Sequence, residues 1–257
     1  MTFDLINWLF PRTCINCWMT GEYLCKTCKK KLEPHPEVCP YCHRFSKDYL
    51  TCIDCRTDKN NYLEGIIIPF AYTDHLKKLI IRLKYFHKTD IWQFLVERLN
   101  IALQANESFQ KIFYLPPLLR GGGSVIIGPE GFVQVPNSKL IISFIPSHRY
   151  RHYFVKGYNQ SQLLAKKLSE ILHVPIVEIA KKQKHTKTQA SLDRNGRLHN
   201  LKNAFSLVKN TQLTGNETLL IVDDITTTGS TINELAKLMK YHYPKIKVRW
   251  AVLWRHR

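Results

Sequence analysis

Leu219-Leu220-Ile221-Val222-Asp223-Asp224-Ile225-Thr226-Thr227-Thr228-Gly229-Ser230-Thr231 is the stretch that decides the fold of this 257-residue chain. Its opening apolar run reads as a strand over Leu219 to Asp223, buried on both faces as strands of a parallel sheet are. Two carboxylates stand at the strand end, and a hydroxyl-rich turn then opens a helix over Ser230 to Tyr243. Backbone N–H groups at a helix N-terminus form a ready anion site. Gly229 lets the backbone come close to a ligand, and the hydroxyls of Thr226, Thr227, Thr228, Ser230 and Thr231 add donors. Asp223 and Asp224 can accept hydrogen bonds from neighbouring sugar hydroxyls, so the whole reads as a cradle for a ribose 5-phosphate. A plain helix cap needs one Asp, Ser or Thr and leaves the other hydroxyls without a purpose. A triphosphate loop is excluded, because no Lys follows Gly229 and the G-x-x-x-x-G spacing is missing.

Outward from this stretch, strands and helices alternate. A polar link at Arg56 to Asn61 leads to a strand at Ile66 to Tyr72, then to amphipathic helices near Asp74 to Tyr85 and Thr89 to Ala105. A strand at Leu140 to Pro146, a helix at Asn159 to His173, a strand at Pro175 to Ile179 and a closing strand at Val248 to Leu253 complete the pattern. This order predicts an α/β domain over residues 61–257, a parallel sheet flanked by helices. Residues 120–137 resist the scheme. They hold Gly121-Gly122-Gly123 and an expected hairpin, Val125 to Ile127 with Phe132 to Val135, which reads as an inserted flap of unassigned role.

All eight cysteines fall between Cys14 and Cys55, which marks residues 1–60 as a separate module. They form four C-x-x-C pairs: Cys14 and Cys17, Cys25 and Cys28, Cys39 and Cys42, Cys52 and Cys55. Each pair makes a knuckle with two thiolates facing one cation, and four knuckles make two tetrahedral zinc sites, a double zinc ribbon. A disulfide framework suits secreted chains, and Met1 to Phe10 lacks the basic start and cleavage site of a secretion signal. Iron–sulfur clusters also use four thiolates but usually in less regular runs. A closed four-cysteine site has no open position for water or substrate, so the zinc here is structural and replaces a missing core. Sequential and cross-brace pairing both satisfy the spacing.

The chain carries 38 Lys and Arg against 20 Asp and Glu, a net charge of +18. Two fully deprotonated zinc sites lower this only to about +14. The first 60 residues are nearly neutral, and the excess concentrates in His148 to Lys209. Such a balance implies an anionic partner. No stretch approaches the roughly 18 to 20 apolar residues of a membrane helix. The apolar opening Phe3, Leu5, Ile6, Trp8, Leu9 and Phe10 packs on its own module or a partner, or rests peripherally at the inner face of a membrane.

The Leu219 to Thr231 pattern resembles the phosphoribosyl-pyrophosphate signature of type I phosphoribosyltransferases. The cysteine pairs, Tyr72 with Lys84, Lys156-Gly157-Tyr158-Asn159-Gln160, and Gln189, Leu192, Arg197, Asn200 and Phe205, taken in this order, resemble the ComF family across most of the chain. The resemblance implies a zinc-binding N-terminal domain, a phosphoribosyltransferase-like C-terminal domain, and a part in natural transformation. It also implies that Asp223 and Asp224 hold the ribose hydroxyls and that Thr226 to Thr231 hold the 5-phosphate. Ser147, His148 and Arg149 take the pyrophosphate-loop position, with Arg149 and Mg²⁺ steadying the diphosphate. Lys181, Lys182, Lys184 and Lys187 lie where these transferases carry a closing loop.

Two departures bear on activity. Lys156 stands where the family commonly has Arg, so a bidentate guanidinium has become a point charge. Thr227 stands where some of these transferases place a general base, and a hydroxyl cannot remove a proton at neutral pH. One reading is therefore a DNA-uptake protein that handles incoming single-stranded DNA in the cytoplasm, using Lys156, Tyr158 and the four loop lysines to hold phosphates and stack bases. The resemblance suggests a helicase-like transformation ATPase, or another DNA-processing protein, as its partner. The other readings are an active phosphoribosyltransferase of nucleotide metabolism and a zinc-dependent adaptor that senses a metabolite.

Overall fold

The computed structural model describes residues 11–83, 89–113, 126–127, 133–134, 139–146, 159–182, 204–208 and 211–255. The Cys-rich segment holds two short helices, α1 (Lys26–Lys30) and α2 (Ile53–Arg56), each following a cysteine. Strand β1 (Gly65–Ile67) leads into helices α3 (Asp74–Leu83), α4 (Thr89–Ala105) and α5 (Glu107–Phe113). The short strands β2 (Ile126–Ile127) and β3 (Val133–Gln134) precede β4 (Leu140–Phe144) and helix α6 (Gln160–Leu172). After β5 (Ala180–Lys182), β6 (Phe205–Leu207) and β7 (Thr211–Gln212) come β8 (Thr218–Thr226), helix α7 (Ser230–His242) and β9 (Lys247–Arg255).

The central sheet runs in the order β1-β9-β8-β4 and every pairing in it is parallel, as the alternation of elements predicts. Leu219, Leu220, Ile221 and Val222 are fully buried, because helices cover both faces. Leu220, Val222, Ile142 and Leu253 face a core formed with α3, α4 and α6, while Leu219, Ile221, Ile141, Trp250 and Val252 face one formed with α7. The neighbours alternate between the two cores because strand side chains alternate faces.

Local chemistry sets the helix ends. Asn159 caps α6 by accepting from the Ser161 and Gln162 N–H groups, and His173 ends it in the left-handed region. Helix α7 buries Ile232, Leu235, Ala236 and Met239, the 3–4 spacing of one helix face. Helix α5 has no counterpart in the sequence reading. Asn106 accepts the Phe109 N–H at 2.8 Å and Asp48 accepts the Glu107 N–H at 3.1 Å, so half of its cap comes from 59 residues away.

Three strand expectations change. The ladder of β8 runs on through Asp223 and Asp224 to Thr226, because β9 continues opposite it to Arg255. The strand expected over Ile66 to Tyr72 is Gly65–Ile67 with one further bridge at Phe70. Pro175 to Ile179 supplies only a single parallel bridge, Ile142 to Ile176, and the strand there is β5, antiparallel to β6. Pro175 lacks an N–H to donate to a ladder, in keeping with its short contribution. Within 120–137, β2 pairs antiparallel with β3, and β3 pairs parallel with β7. Among the described residues no helix is long and apolar enough to cross a membrane. The apolar stretch at 3–10 lies outside the described residues.

Candidate functional site

The eight cysteines gather as Cys14, Cys17, Cys25, Cys28 and as Cys39, Cys42, Cys52, Cys55, with the sulfurs of each set within 4.8 Å of one another. Sequential pairing is thus the arrangement adopted. A tetrahedron with Zn–S bonds of about 2.3 Å places its sulfurs about 3.8 Å apart. The Cys17 to Cys25 and Cys42 to Cys52 sulfur separations are 3.6 Å, close to that edge and far beyond a disulfide bond. The Cys25 N–H points at the Cys14 sulfur and the Cys52 N–H at the Cys39 sulfur, each at 3.5 Å, as donors to thiolates do. Both clusters can hold a zinc ion, closed to any fifth group.

The two clusters are copies of one device. Thr13 bridges Thr20 as Val38 bridges Phe45, and the Cys14 N–H donates to the Met19 carbonyl as the Cys39 N–H does to that of Arg44. Trp18 and His43, one residue past the second ligand of each knuckle, share positive φ values of 66° and 62°. The copies differ in exposure: in the first Cys14, Cys25 and Cys28 are buried and Cys17 is exposed, whereas in the second Cys39 is buried and Cys42, Cys52 and Cys55 are half-buried.

The carboxylates and the hydroxyl turn meet at the C-terminal edge of the sheet, where ligands of open parallel sheets bind. Asp223 accepts the Ser161 hydroxyl at 2.7 Å and the Asp224 N–H at 2.9 Å. Burial, followed by the neighbouring charge of Asp224, raises the Asp223 proton affinity well above the usual carboxylate range, while the Ser161 hydroxyl works the other way. Among the described residues no ion pair engages Asp223 or Asp224. Gly229 has φ of 75°, and a Cβ there would lie 3.3 Å from the Trp250 ring, so both conformation and space call for glycine. Helix α7 starts on Gly229, which offers no side-chain cap, and the Ser230 N–H meets the Thr228 hydroxyl at 3.4 Å. Thr228 and Ser230 hydroxyls lie 2.9 Å apart at the exposed rim, Thr226 is buried at the end of β8, and Thr231 lies in the first turn of α7.

Asp223, Asp224 and the residues from Thr226 to Thr231 therefore come together. Ser147, His148, Arg149, Lys156, Tyr158, Lys184 and Lys187 lie outside the described residues. Lys181 and Lys182 belong to β5, paired with Ser206 and Phe205, and so stand in a strand rather than in a loop. Sequence reasoning missed two residues. Ser161, buried on the first turn of α6, follows directly on the quoted Asn159-Gln160, and its partner Asp223 lies 62 residues away in sequence. Arg255, 3% exposed, donates to the Thr227 carbonyl at 3.3 Å and to the Pro40 carbonyl at 2.8 Å. Nothing local marks it, since its partners lie far away in sequence. A cleft of about 490 Å³ lined by Tyr62, Phe205, Lys237, Tyr241 and His242 lies toward the other end of α7, away from the turn.

Residues 159–257, from the cap of α6 onward, match the Phosphoribosyl transferase domain family. Competence protein F of Haemophilus influenzae is 30% identical over 237 residues, which cover 90% of this chain and 92% of that protein. DNA utilization protein YhgH of Escherichia coli is 28% identical, covering 87% of this chain and 89% of its own length. Competence protein ComFC of Bacillus subtilis is 23% identical over 85% of this chain and 78% of its own length. With a paired Cys₄ module ahead of a parallel sheet that ends in two carboxylates and a hydroxyl-rich turn, and with that similarity running through nearly its whole length, this chain belongs to the ComF family.

Proposed function

We propose that this protein serves natural transformation, handling incoming single-stranded DNA on the cytoplasmic side, and that its sheet edge binds phosphoribosyl pyrophosphate with Mg²⁺. The observation that carries the reading is a strand ending in two carboxylates and a glycine-bearing hydroxyl turn, in a chain 30% identical to competence protein F over 90% of its length. Hydrogen bonds hold Asp223 and Asp224, no ion pair among the described residues engages them, and the turn before α7 has the glycine that close approach of a phosphate requires. Relatives named for competence and for DNA utilization support the biological role. The net charge of +18 supports an anionic macromolecule as the partner.

In this reading Asp223 and Asp224 hold the ribose hydroxyls, and Thr226 to Thr231 hold the 5-phosphate. Mg²⁺ offsets the diphosphate charge, with Arg149 as the protein donor beside it. Lys156, Tyr158, Lys181, Lys182, Lys184 and Lys187 contribute to the DNA surface, and a DNA-processing ATPase is the protein partner.

Titration calorimetry with phosphoribosyl pyrophosphate and Mg²⁺ tests the ligand. Binding to the wild type and loss of binding in Asp223→Ala/Asp224→Ala are expected, and equal affinity in both removes the cradle assignment. For DNA, log affinity for a single-stranded oligonucleotide falls steeply with log salt, and reversing Lys181, Lys182, Lys184 and Lys187 flattens the slope. An unchanged slope moves the DNA surface elsewhere. The juxtaposition of Asp223 and Asp224 at the end of β8 favours a second reading, in which the carboxylate pair stabilises an oxocarbenium-like ribose during transfer. Release of pyrophosphate in the presence of an acceptor base distinguishes it from binding alone.

A further inference from the structure

Arg255 ends β9 as a nearly buried cation, and its guanidinium spans two loops that are 187 positions apart in sequence, Thr227 of the phosphate turn and Pro40. Pro40 lies inside the second zinc knuckle, between Cys39 and Cys42. A second link runs beside the first. The Tyr41 phenol donates to Asn233 Oδ1 at 2.7 Å and accepts the Leu63 N–H at 2.8 Å. Asn233 lies on the first turn of α7, its N–H donates to the Gly229 carbonyl at 3.0 Å, and its Nδ2 donates to the Asn60 carbonyl at 2.8 Å. Both residues between Cys39 and Cys42 are thereby tied to the turn, one to Thr227 and the other, through Asn233, to Gly229.

The first knuckle supplies an internal control. The residues at the same places between Cys14 and Cys17 are Ile15 and Asn16. Ile15 is buried in the helical core and Asn16 Nδ2 lies 2.6 Å from His75 Nε2 on α3, so neither reaches the turn. The knuckles share a fold and differ in what their two middle residues grip.

We infer that the second Cys₄ knuckle is the rear support of the phosphate turn, and that Arg255 and Asn233 are positioning residues that carry its geometry to the turn. A metal at Cys39, Cys42, Cys52 and Cys55 fixes the direction of the Pro40 carbonyl and the height of the Tyr41 phenol. Without it, the acceptor for Arg255 and the donor for Asn233 lose their fixed places. A guanidinium is needed at 255 because its planar fork serves two separated carbonyls at once, which a lysine ammonium on one stem does not reproduce.

The ligand used in part of the test rests on the phosphoribosyl-pyrophosphate reading, so the primary readout is independent of it. In full-length, zinc-loaded protein without ligand, amide hydrogen exchange is followed in peptides covering Thr226 to Thr231 and, as a reference, α4. Cys55→Ser and Arg255→Lys are each expected to speed exchange in the turn about tenfold, the effect of one charge-assisted hydrogen bond, with α4 unchanged. The double variant is expected to match the single ones, because both remove the same linkage. Calorimetry with phosphoribosyl pyrophosphate and Mg²⁺ then shows a matching loss of about tenfold in affinity. Turn exchange that is unchanged, or additive in the double variant, overturns the inference. If Cys55→Ser does not fold, limited chelation of one zinc from the wild type replaces it, read in the same peptides. If the wild type binds no phosphoribosyl pyrophosphate, the ligand assignment falls while the exchange data still decide the linkage.

Discussion

The two Cys₄ units, built to one local plan, pack into different surroundings. The first joins a core with α3, α4 and α6, where Cys14, Ile15, Leu24, Cys25, Cys28 and Leu32 pack with Leu76, Leu79 and Leu95. The second stands toward the α7 side, where Tyr49 and Leu63 are buried and Tyr41 and Tyr62 pack at the edge. Apolar burial anchors the first, whereas the second is anchored by directed hydrogen bonds, one accepted by the Pro40 carbonyl from Arg255 and one donated by the Tyr41 phenol to Asn233. The difference teaches that a metal knuckle supplies only rigidity. What that rigidity serves is set by the two residues between its ligands.

The largest effect that sharpens this contrast is loss of the first site. Structural zinc contributes about 10–16 kcal/mol in small modules, comparable to the roughly 5–15 kcal/mol stability of a whole domain. Cys28→Ser is therefore expected to abolish cooperative unfolding of the sheet domain in thermal melts followed by circular dichroism, whereas Cys55→Ser retains it. Equal damage from both would break the comparison. Next comes metal release. Because three ligands of the first site are buried and only Cys17 is exposed, whereas Cys42, Cys52 and Cys55 of the second are all half-buried, a colorimetric chelator should draw zinc in two phases of equal amplitude. The slow phase belongs to the first site, and Cys55→Ser should delete the fast one.

Gly229→Ala probes the turn that the second unit supports. A left-handed φ costs a non-glycine residue about 1–3 kcal/mol, and the 3.3 Å approach to Trp250 adds to it. Melting temperature and phosphate affinity are both expected to fall, with zinc content unchanged. The smallest effect has the opposite sign. Asp223 has a raised proton affinity in the folded state, so keeping it ionised at neutral pH costs stability. Below its unfolded pKa of about 3.9 the cost is absent, and it grows as pH rises through the elevated folded value. Asp223→Asn is therefore expected to stabilise the protein at pH 7 by about 0.5–2 kcal/mol, a gain that disappears toward pH 4, while sugar-phosphate binding is lost.

Residue patterns carried much of the architecture. The apolar run before Asp223 could only be a strand buried on both sides, and the hydroxyls and glycine after it could only be a turn into a helix. The 3–4 spacing in α7 and the cap at Asn159 were equally visible, because each depends on residues within one or two turns of chain. Helix α5 escaped notice because Asp48, its distant cap, sits in left-handed backbone at φ 59° in another segment. Pro175 to Ile179 has strand-like residues but lacks a full partner, and pairing is not a local property. Ser161 was passed over because a serine on a helix start reads as a surface residue until Asp223 is brought beside it.

The sequence by itself determined the number of zinc knuckles, the α/β alternation and the chemistry of the turn, since ligand type, hydrophobic period and hydroxyl content are encoded in neighbouring residues. Only the tertiary structure decided which cysteines gather into one cluster, which core each cluster packs against, and that Arg255 joins a knuckle to the turn before α7. The reason is physical: spacing limits how far a loop can reach but not which of several reachable partners it meets, and that choice is made by packing across the whole chain.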